Sequence, residues 1–323
     1  MKTKLLKTVF NILLILGIAL ILVWLLIAQP TTDRNTLSAI EIDIERLEKH
    51  VNILSNDFYP RNHLEVENLN KTAAYIEHHF KNAGGNIEIQ NFEVSERLYK
   101  NVIAVFGEGK GRKLIVGAHY DSSGLTHGAD DNASGVSGLI ELAYLFEKYP
   151  IDREIELVAY TLEEPPYFGT RYMGSYVHAE KIRKKNQVIE GMISLEMIGF
   201  FSDETGSQIY PNPVLNLFYP SVGNYITVVG SLEQRGFTKA FKVGMEGSTS
   251  LPVYSINAPK SLPGIDYSDH RNYWSLGVNA IMISDTAFYR NREYHEVGDT
   301  AKRLDYEKMA KVVVSVFEAL KKI

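Results

Sequence analysis

The sequence predicts an α/β protein, a three-layer α/β/α sandwich with a mostly parallel central sheet, preceded by one N-terminal transmembrane helix. Short runs rich in Val, Ile and Phe alternate with segments whose apolar residues recur at helical spacing, which is typical of alternating strands and helices. Several of these runs are apolar on both faces, as the buried strands of a parallel sheet must be. Ahead of them, residues 9–28 form an almost unbroken apolar run.

The apolar run near the N-terminus predicts a membrane anchor. Asn11 is its only polar residue, and about 20 apolar residues suffice for a helix to cross the hydrocarbon core of a bilayer. Because Lys2, Lys4 and Lys7 precede the run, the positive-inside rule predicts a cytoplasmic N-terminus and places the rest of the chain outside the cytoplasm. We therefore expect residues 1–28 to form a cytoplasmic tail and a transmembrane anchor.

The alternative is a cleaved signal peptide, which would leave a secreted protein. A signal peptide has a shorter apolar region and a small residue three positions before its cleavage site. The run is long for such a region, and the sequence LLIAQP at its end lacks that small residue. These features favour an uncleaved anchor, which a polar linker at residues 29–35 then follows.

Residues 36–323 are predicted to form one domain with alternating helices and strands. Two helices begin it, and Gly84 and Gly85 end the second of them. The apolar faces of these two helices comprise Ile40, Ile44, Leu47, Val51 and Leu54, and then Leu69, Ala73, Ile76 and Phe80. Six candidate strands follow at 86–94, 101–107, 113–121, 154–161, 191–199 and 279–285, and further helical patterns lie at 136–146, 175–185 and 306–320.

The segment at residues 201–267 interrupts this alternation. It is rich in Gly, Pro, Ser and Tyr, and it contains one possible strand within 224–231 and a possible helix near 232–243. Since both ends of the segment adjoin polar clusters, we expect a lid insertion rather than a separate domain. Its many aromatic residues predict that it contributes to substrate selection.

Composition excludes several classes of site. The chain has 323 residues and a formal net charge of −5, and its basic residues form no stripe of the kind that binds nucleic acid. It contains no cysteine, so disulfides and cysteine-based zinc sites are excluded. Any metal must therefore be held by His, Asp and Glu. The sequence carries no signal for the oligomeric state.

Ionisable side chains follow the predicted strands, at the sheet edge where open α/β folds place their chemistry. Taken singly, such residues are most simply structural: a hydrogen-bonded His, a solvated pair of Glu residues, or an Asp that caps a helix. Taken together, their mutual repulsion calls for cations, and a set of His, Asp and Glu suits zinc, with other divalent ions possible. The residues are His119, Asp121, Asp130, Asp131, Glu163, Glu164, Glu196, Asp285, Tyr294, His295 and Asp299.

The order HYD … GADDNASG … TLEEPPYFGTRYMGS … SLEMIGF … SDH … YHEVGDT resembles the co-catalytic zinc aminopeptidase family. That family includes bacterial leucyl aminopeptidases, glutamate carboxypeptidase and the glutaminyl cyclases. The resemblance extends from Arg46 to the C-terminus and rests on several separate motifs in the same order. It implies a metallopeptidase, a hydrolase with two Zn²⁺ ions in each chain, that acts on peptides with a free N-terminus.

The resemblance also implies a set of metal ligands. His119 and Glu196 would bind one ion, although some members of the family have Asp at the latter position. Glu164 and His295 would bind the second ion, and Asp131 would bridge both, which makes Asp130 the weaker candidate. Asp121 would lie behind His119 and fix the tautomer of its ring. The family further implies a cis peptide bond between Asp131 and Asn132.

The same resemblance assigns the remaining roles. Glu163 would act first as general base and then as general acid. Tyr294 would stabilise the oxyanion, with a buried packing role as the alternative. Asp269 and His270 would support the site from a second shell or shape the pocket. His127 and His178 are expected to be structural or to lie on the surface.

The leading functional hypothesis is a membrane-anchored aminopeptidase that removes N-terminal residues from peptides outside the cytoplasm. One alternative keeps the fold and changes the reaction: a glutaminyl-peptide cyclase, which uses one zinc ion and closes an N-terminal Gln onto itself. A second alternative is a non-catalytic binding domain on the same scaffold. The full set of candidate ligands, together with Glu163, favours hydrolysis over both.

Overall fold

The computed structural model describes residues 2–31, 35–107, 109 and 112–323, so residues 32–34 of the predicted linker lie outside the described part. Helix α1 (Lys2–Ile27) is the one helix in this part that is long and apolar enough to cross a membrane, and its most apolar 18 residues include none that is buried inside the protein. A signal sequence would share these properties.

Eight strands within the described residues form one mixed sheet in the order β1-β2-β4-β3-β5-β8-β6-β7. Their bounds are β1 Asn86–Val94, β2 Arg97–Phe106, β3 Lys113–His119, β4 Ile155–Tyr160, β5 Ile189–Leu195, β6 Ile226–Ser231, β7 Val253–Ala258 and β8 Ala280–Ser284. The central strands β4, β3, β5 and β8 run parallel to one another. At the two sides, β2 pairs antiparallel with β4, and β6 pairs antiparallel with β8.

Local sequence explains the strands. Every residue of β4, with the sequence IELVAY, is buried, as expected of a central strand that is covered on both faces. Strands β1 and β2 form a hairpin whose turn residues, Ser95 and Glu96, both have positive φ, which matches the twist of a two-residue hairpin connection.

Helices cover both faces of the sheet and complete the three layers. One layer holds α2 (Ile44–Asn52), α3 (Val66–Asn82), α4 (Gly135–Lys148), α6 (Arg235–Met245) and α8 (Tyr306–Leu320), and the main apolar core lies beneath it. The opposite layer holds α5 (Gly174–Lys184) and the short α7 (Arg271–Trp274), which pack over a second apolar cluster. The predicted fold class is therefore confirmed.

Within residues 201–267, the possible strand and helix of the sequence prediction correspond to β6 and α6, and one further strand, β7, was not predicted. This segment supplies β6, α6 and β7 to the sheet and its helical layer, and the stretches on either side of them line a cavity. Strand β7 escaped prediction because it is a short edge strand with a mixed sequence, VYSINA. Ile40 lies ahead of α2, whose N-cap is Asp43; the Asp43 carboxylate accepts the backbone N–H of Arg46 at 3.0 Å.

Candidate metal centre

Three neighbouring parallel strands deliver the candidate ligands to one edge of the sheet. His119 is the last residue of β3, Glu164 follows the end of β4, and Glu196 comes directly after β5. Asp131 lies in the π-helical turn Ala129–Ser134 ahead of α4, and its peptide bond with Asn132 is cis, as the resemblance implied. His295 comes from the loop that follows β8.

The five predicted metal ligands form two groups that share Asp131. In the first group, His119 Nε2 lies 3.3 Å from Asp131 Oδ1 and 3.3 Å from Glu196 Oε2. In the second, His295 Nε2 lies 3.2 Å from Asp131 Oδ2 and 3.1 Å from Glu164 Oε2. Asp131 therefore presents a different carboxylate oxygen to each of the two imidazole rings.

The donor set fits a bound cation. Asp131 Oδ2 and both carboxylate oxygens of Glu164 are buried and have no hydrogen-bond partner among the described residues, although His295 Nε2 lies nearby. Buried carboxylate oxygens without hydrogen-bond donors are strongly unfavourable unless a cation compensates them. Since the ligands are imidazole nitrogens and carboxylate oxygens, zinc satisfies the chemistry of both groups.

Proton binding partly compensates the same charges. Burial lowers the pKa of His295, but the carboxylates of Asp131 and Glu164 outweigh it and raise this pKa to about 11. Burial raises the pKa of Glu164 to about 8, with Asp131 adding to the shift. Burial likewise opposes the charged form of His119, but Glu196 and Glu163 outweigh it and raise the pKa of that ring. A divalent cation that binds here would displace protons from the imidazoles.

Asp121 connects the two strand ends. His119 Nδ1 lies 3.2 Å from the Asp121 carbonyl oxygen and 3.6 Å from the Asp121 carboxylate. That carboxylate accepts the backbone N–H groups of Glu163 at 3.2 Å and Glu164 at 3.1 Å. Asp121 thus sits behind His119 and also fixes the turn that carries both glutamates.

Glu163 lies beside both groups and is buried. Its Oε2 is 4.0 Å from His119 Nε2, and its carboxylate forms a further possible metal group with His119 and Glu164. Burial raises the pKa of Glu163, and the negative charges of Glu196 and Glu164 raise it further. Glu163 is thus a desolvated carboxylate next to the position where two candidate metal groups meet.

Several residues support the ligands through hydrogen bonds, and of these Ser268 was not among the sequence candidates. Ser268 donates a 2.6 Å hydrogen bond to Glu196 Oε2. The Asp299 carboxylate accepts the backbone N–H groups of Asp130 and Asp131, each at 3.1 Å. Asn132 donates from Nδ2 to the carbonyl oxygen of Leu195 at 2.8 Å, so the ligand turn is tied directly to the end of β5. The motif GADDNASG contained Asn132, but nothing in the motif indicated its partner.

Asp130 and Asp285, which also follow predicted strands, make structural contacts. The Asp130 carboxylate accepts from the backbone N–H of Gly199 at 3.0 Å and from Asn291 Nδ2 at 2.9 Å. Asp285 accepts from the backbone N–H of Phe200 at 2.9 Å. Both carboxylates thereby hold the chain segments that surround the metal groups.

Arg61 is a buried cation beside the candidate centre that the sequence prediction missed. Its guanidinium donates to the carbonyl oxygens of Tyr120 (3.0 Å), His127 (2.9 Å) and Gly128 (2.9 Å), and also to that of Leu54. Burial lowers its pKa to about 10, against the opposing charges of carboxylates in the centre. Arg61 lies far from the recognised motifs in sequence, so no local pattern revealed it.

Asp269 and His270 have different surroundings. Asp269 is fully buried, and burial raises its pKa to about 7 within the negative field of Glu196 and Asp121. His270 Nε2 donates to the carbonyl oxygen of Ile265 at 2.8 Å, and its ring packs edge-on against Trp274. Asp269 thus belongs to the carboxylate cluster, whereas His270 holds part of a cavity wall.

The two histidines that were predicted to be structural or to lie on the surface are outside the candidate metal groups. His127 Nδ1 contacts the carbonyl oxygen of Ser55 at 3.0 Å, and its ring stacks on Tyr59. His178 lies 2.6 Å from the Tyr273 hydroxyl and 2.9 Å from Glu156.

A cavity of about 300 Å³ opens onto the metal groups. Asp131, Glu163, Glu164, Glu196 and His295 form its polar end. Its other walls are largely aromatic and aliphatic, and they include Phe168, Tyr210, Leu215, Tyr219, Tyr225, Val229, Ile256, Leu262, Ile265, Tyr267, Met282, Phe288, Tyr289 and Tyr294. A cavity with this distribution suits a ligand that joins an apolar side chain to a polar reacting group.

Tyr294 lies at the junction of the polar and apolar parts. Its ring stacks on His295, with centroids 3.8 Å apart and planes inclined by 19°. Burial raises the pKa of the hydroxyl, and so do the nearby carboxylates of Asp131 and Glu164. The phenol therefore stays protonated and retains a hydrogen that it could donate into the cavity.

Comparison with known proteins agrees with this arrangement. The sequence model of peptidase family M28 matches residues 101–319. The uncharacterised protein YfbL of Escherichia coli (strain K12) is 43% identical over 301 residues, which cover 91% of this chain and 90% of YfbL. Aminopeptidase YwaD of Bacillus subtilis is 28% identical over 216 residues, which cover 65% of this chain but 41% of YwaD.

Solved structures share the fold at low sequence identity. BSAP, a zinc aminopeptidase from Bacillus subtilis, superposes with a TM-score of 0.69 at 13% identity and covers 88% of this chain and 96% of its own. The glutaminyl cyclase of Tannerella forsythia gives a TM-score of 0.63 at 18% identity and covers 88% of this chain and 100% of its own. The resemblance stated from the sequence motifs is confirmed.

Proposed function

Because the chain belongs to peptidase family M28, we propose that it is a membrane-anchored, zinc-dependent aminopeptidase that removes N-terminal residues from peptides. The observation that carries this proposal is the shared carboxylate of Asp131, one oxygen of which faces each of two His-containing ligand groups. Such sharing is the arrangement expected of a centre for two metal ions rather than one.

His119, Asp131 and Glu196 would hold one ion, and Asp131, Glu164 and His295 the other. When bound, the ions would lower the pKa of a water molecule and polarise the scissile carbonyl group. Glu163, which is not needed to complete either group, would take a proton from the attacking water and pass it to the leaving amine. The Tyr294 hydroxyl would donate a hydrogen bond to the developing oxyanion.

The substrate would place its first side chain in the apolar cavity and its scissile bond at the polar end. The α-ammonium group of a free N-terminus needs a negative partner, and Glu163 and Glu196 lie at that end of the cavity. An acetylated N-terminus lacks this positive charge and is expected to be refused. The apolar walls favour large aliphatic or aromatic first residues.

Substitution of Glu163 tests the mechanism. Glu163→Gln keeps the size of the side chain, so we expect metal content to stay at the wild-type level while turnover falls by about 10²- to 10⁴-fold. The matched control is Glu204→Gln, which changes an exposed carboxylate and should alter neither quantity. Wild-type turnover in Glu163→Gln would refute its role as general base.

A second candidate function, glutaminyl-peptide cyclisation, is favoured by the fold shared with the Tannerella forsythia glutaminyl cyclase. The purified full chain, stripped of metal and reloaded with zinc, would be incubated with peptides that include N-terminal Gln and N-acetylated members. Mass spectrometry distinguishes the reactions: shortening from a free N-terminus supports the aminopeptidase, whereas loss of ammonia from Gln peptides alone supports the cyclase. Absence of both reactions, with zinc bound, would favour a non-catalytic domain.

Anchoring and orientation are the remaining parts of the proposal. Lys4 and Lys7 precede the apolar stretch of α1, so the N-terminus would remain in the cytoplasm and residues 36–323 would lie outside. Because the chain has no cysteine, Leu98→Cys introduces a single exposed thiol on β2. In intact cells a membrane-impermeant maleimide should label it, and a mature N-terminus near Gln29 would instead indicate a cleaved signal peptide.

A further inference from the structure

One long stretch of the domain lacks formal charge. The sequence has no Asp, Glu, Lys, Arg or His between Glu204 and Glu233. Within this stretch Ile209, Val214 and Leu217 are 50%, 46% and 70% exposed, respectively. Val214 and Leu217 belong to one short 3₁₀ turn, Pro213–Leu217. Exposed aliphatic side chains within a stretch of sequence that has no charged residue are typical of a contact surface.

The 3₁₀ turn that carries Val214 and Leu217 lies beside the end of helix α1. Leu215, from the same 3₁₀ turn, and Tyr219 form one buried cluster with Ala28. Trp24 and Ile27 of α1 pack against this cluster. If α1 crosses a bilayer, Ile27 marks the end of the span, so the 3₁₀ turn lies at the level of the membrane surface. Trp24 and the tyrosines of the stretch suit that level, because aromatic rings favour the boundary between lipid and water.

Hydrogen bonds fix the end of α1 to the domain. Ser255 Oγ donates to the Ala28 carbonyl oxygen at 2.9 Å, and Lys242 Nζ donates to that of Gln29 at 3.1 Å. Asn257 Nδ2 donates to Gln29 Oε1 at 2.8 Å. The contacts join the end of α1 to both β7 and α6, so a bilayer crossed by α1 would meet the domain in a defined orientation.

Basic side chains flank the same junction. Arg235 and Lys239 are exposed and lie four residues apart on α6, which places them on one face of that helix. The backbone carbonyl of Arg235 accepts a 2.9 Å hydrogen bond from Gln29 Nε2, so this face begins next to the end of the span. Arg and Lys side chains at this level can donate hydrogen bonds to lipid phosphate groups.

We propose that Ile209, Val214 and Leu217, termed here the junction patch, insert into the bilayer interface and seat the domain on the membrane. This inference rests on the proposed anchoring by α1. A lipid surface is the occupant that the structure favours, because Val214 and Leu217 belong to the turn whose Leu215 packs at the end of the span. The exposed basic face of α6 begins next to the same end.

The seated position has a consequence for substrates. Tyr210, Leu215 and Tyr219 line the substrate cavity and also pack at the end of α1. The apolar end of the cavity therefore rests on the anchor, and peptides reach it close to the bilayer. The chemistry favours peptides with an apolar N-terminal residue that are presented at a membrane surface.

Depth-dependent fluorescence quenching tests the proposal on the full chain. Single cysteines would be introduced as Leu217→Cys in the patch, Leu98→Cys on β2 and Leu16→Cys within α1, since the natural chain has none. Each variant is labelled with an environment-sensitive fluorophore and reconstituted in vesicles that contain a nitroxide-labelled lipid. Leu98 lies in the hairpin at the opposite edge of the sheet from β7, so it is the matched exposed control.

We expect position 217 to be quenched by the nitroxide lipid several-fold more than position 98, with blue-shifted emission. Equal quenching at 217 and 98, while position 16 is strongly quenched, would overturn the junction patch and leave the anchor intact. A blue shift at 217 without quenching would mean that a second copy covers the patch, which also overturns the proposal. Lack of quenching at position 16 would show that the anchoring itself is wrong, and peptide hydrolysis by the same vesicles tests the enzyme separately.

Discussion

The carboxylate of Asp121 accepts the backbone N–H of Glu164 with one oxygen, at 3.1 Å, while its other oxygen accepts that of Glu163, at 3.2 Å. Asp121 itself follows β3, whereas the two glutamates follow β4, so these bonds set the spacing of groups from two strands. A charged acceptor strengthens both hydrogen bonds. The position of the proposed base and of one proposed ligand therefore depends on a residue that need not touch metal.

We predict that Asp121→Asn weakens metal binding or lowers kcat by about 10- to 100-fold. The amide keeps one acceptor oxygen but presents an NH₂ group to the second backbone N–H, which must then move. Zinc affinity is measured by competition with a chelating dye, and kcat is measured at saturating zinc. Asp203→Asn, at an exposed carboxylate, is the control. Unchanged affinity and kcat in Asp121→Asn would contradict this role.

Arg61 gives a prediction about stability. Its buried guanidinium joins the carbonyl oxygens of Tyr120 and Gly128, so it holds the loop between β3 and the ligand turn. Arg61→Met leaves those carbonyl groups without a donor, at about 1–3 kcal/mol for each unsatisfied group. We expect a clear fall in the thermal midpoint with zinc present or absent, measured by circular dichroism in detergent. Arg97→Met, at an exposed arginine, should leave the midpoint unchanged; an equal fall in both variants would refute the claim.

The sequence was sufficient for those parts of the fold that depend on local patterns. Helix α8 begins and ends where its apolar spacing predicted, and β1 has the predicted bounds. All six candidate strands correspond to β1 through β5 and β8. These elements have long or fully apolar patterns, and burial of their apolar residues stabilises the helices and strands that such patterns predict.

What the sequence could not supply are contacts between distant segments. Ser268 and Glu196 form a 2.6 Å hydrogen bond although they lie far apart in sequence, in separate motifs. Arg61 likewise donates to the carbonyl oxygen of Tyr120, which is distant from it in sequence. Edge strand β7 was missed because polar residues interrupt its apolar pattern, which packing against β6 overrides. The roles of Asp121, Asp269, His270 and Tyr294 stay predictions, because a position near the candidate centre does not establish an effect on the reaction.

The composition of the cavity predicts substrate preference. Because its walls are apolar beyond the polar end, peptides that begin with Leu or Phe should be cleaved with a higher kcat/KM than peptides that begin with Lys. Leu262 lines the cavity and is partly exposed, so Leu262→Asp adds a carboxylate there. We expect the ratio of kcat/KM for Lys over Leu peptides to rise about tenfold, equivalent to about 1.4 kcal/mol. Leu64→Asp, at an exposed leucine that does not line the cavity, should not change the ratio. An unchanged ratio in Leu262→Asp would refute the claim that this wall contacts the first side chain of the substrate.

A histidine cluster distant from the metal groups makes stability depend on pH. His50 is a residue of α2 that is buried against α3. Its Nδ1 lies 2.6 Å from the Tyr75 hydroxyl, and its ring packs edge-on against that of His79. Glu141 Oε1 lies 3.6 Å from His50 Nε2, but both oxygens of that carboxylate are engaged by Arg46. Burial therefore dominates and lowers the pKa of His50 to about 3, with the positive potential of neighbouring groups adding to the shift.

In the unfolded chain His50 regains its ordinary pKa of 6.5, so below that pH the unfolded state binds a proton that the folded state refuses. Stability then falls as the pH drops from about 6.5 toward 3, by up to about 1.4 kcal/mol for each pH unit from this residue. His50→Gln cannot bind the proton, and we expect its thermal midpoint, although lower at pH 7, to decrease less steeply between pH 6.5 and 4.5. The measurement is a series of thermal melts in detergent with a chelator present, so that metal release does not contribute. His78→Gln, at an exposed histidine of α3, should keep the wild-type dependence of the thermal midpoint on pH. If His50→Gln and wild type show the same dependence, His50 is protonated in the folded protein and the prediction is wrong.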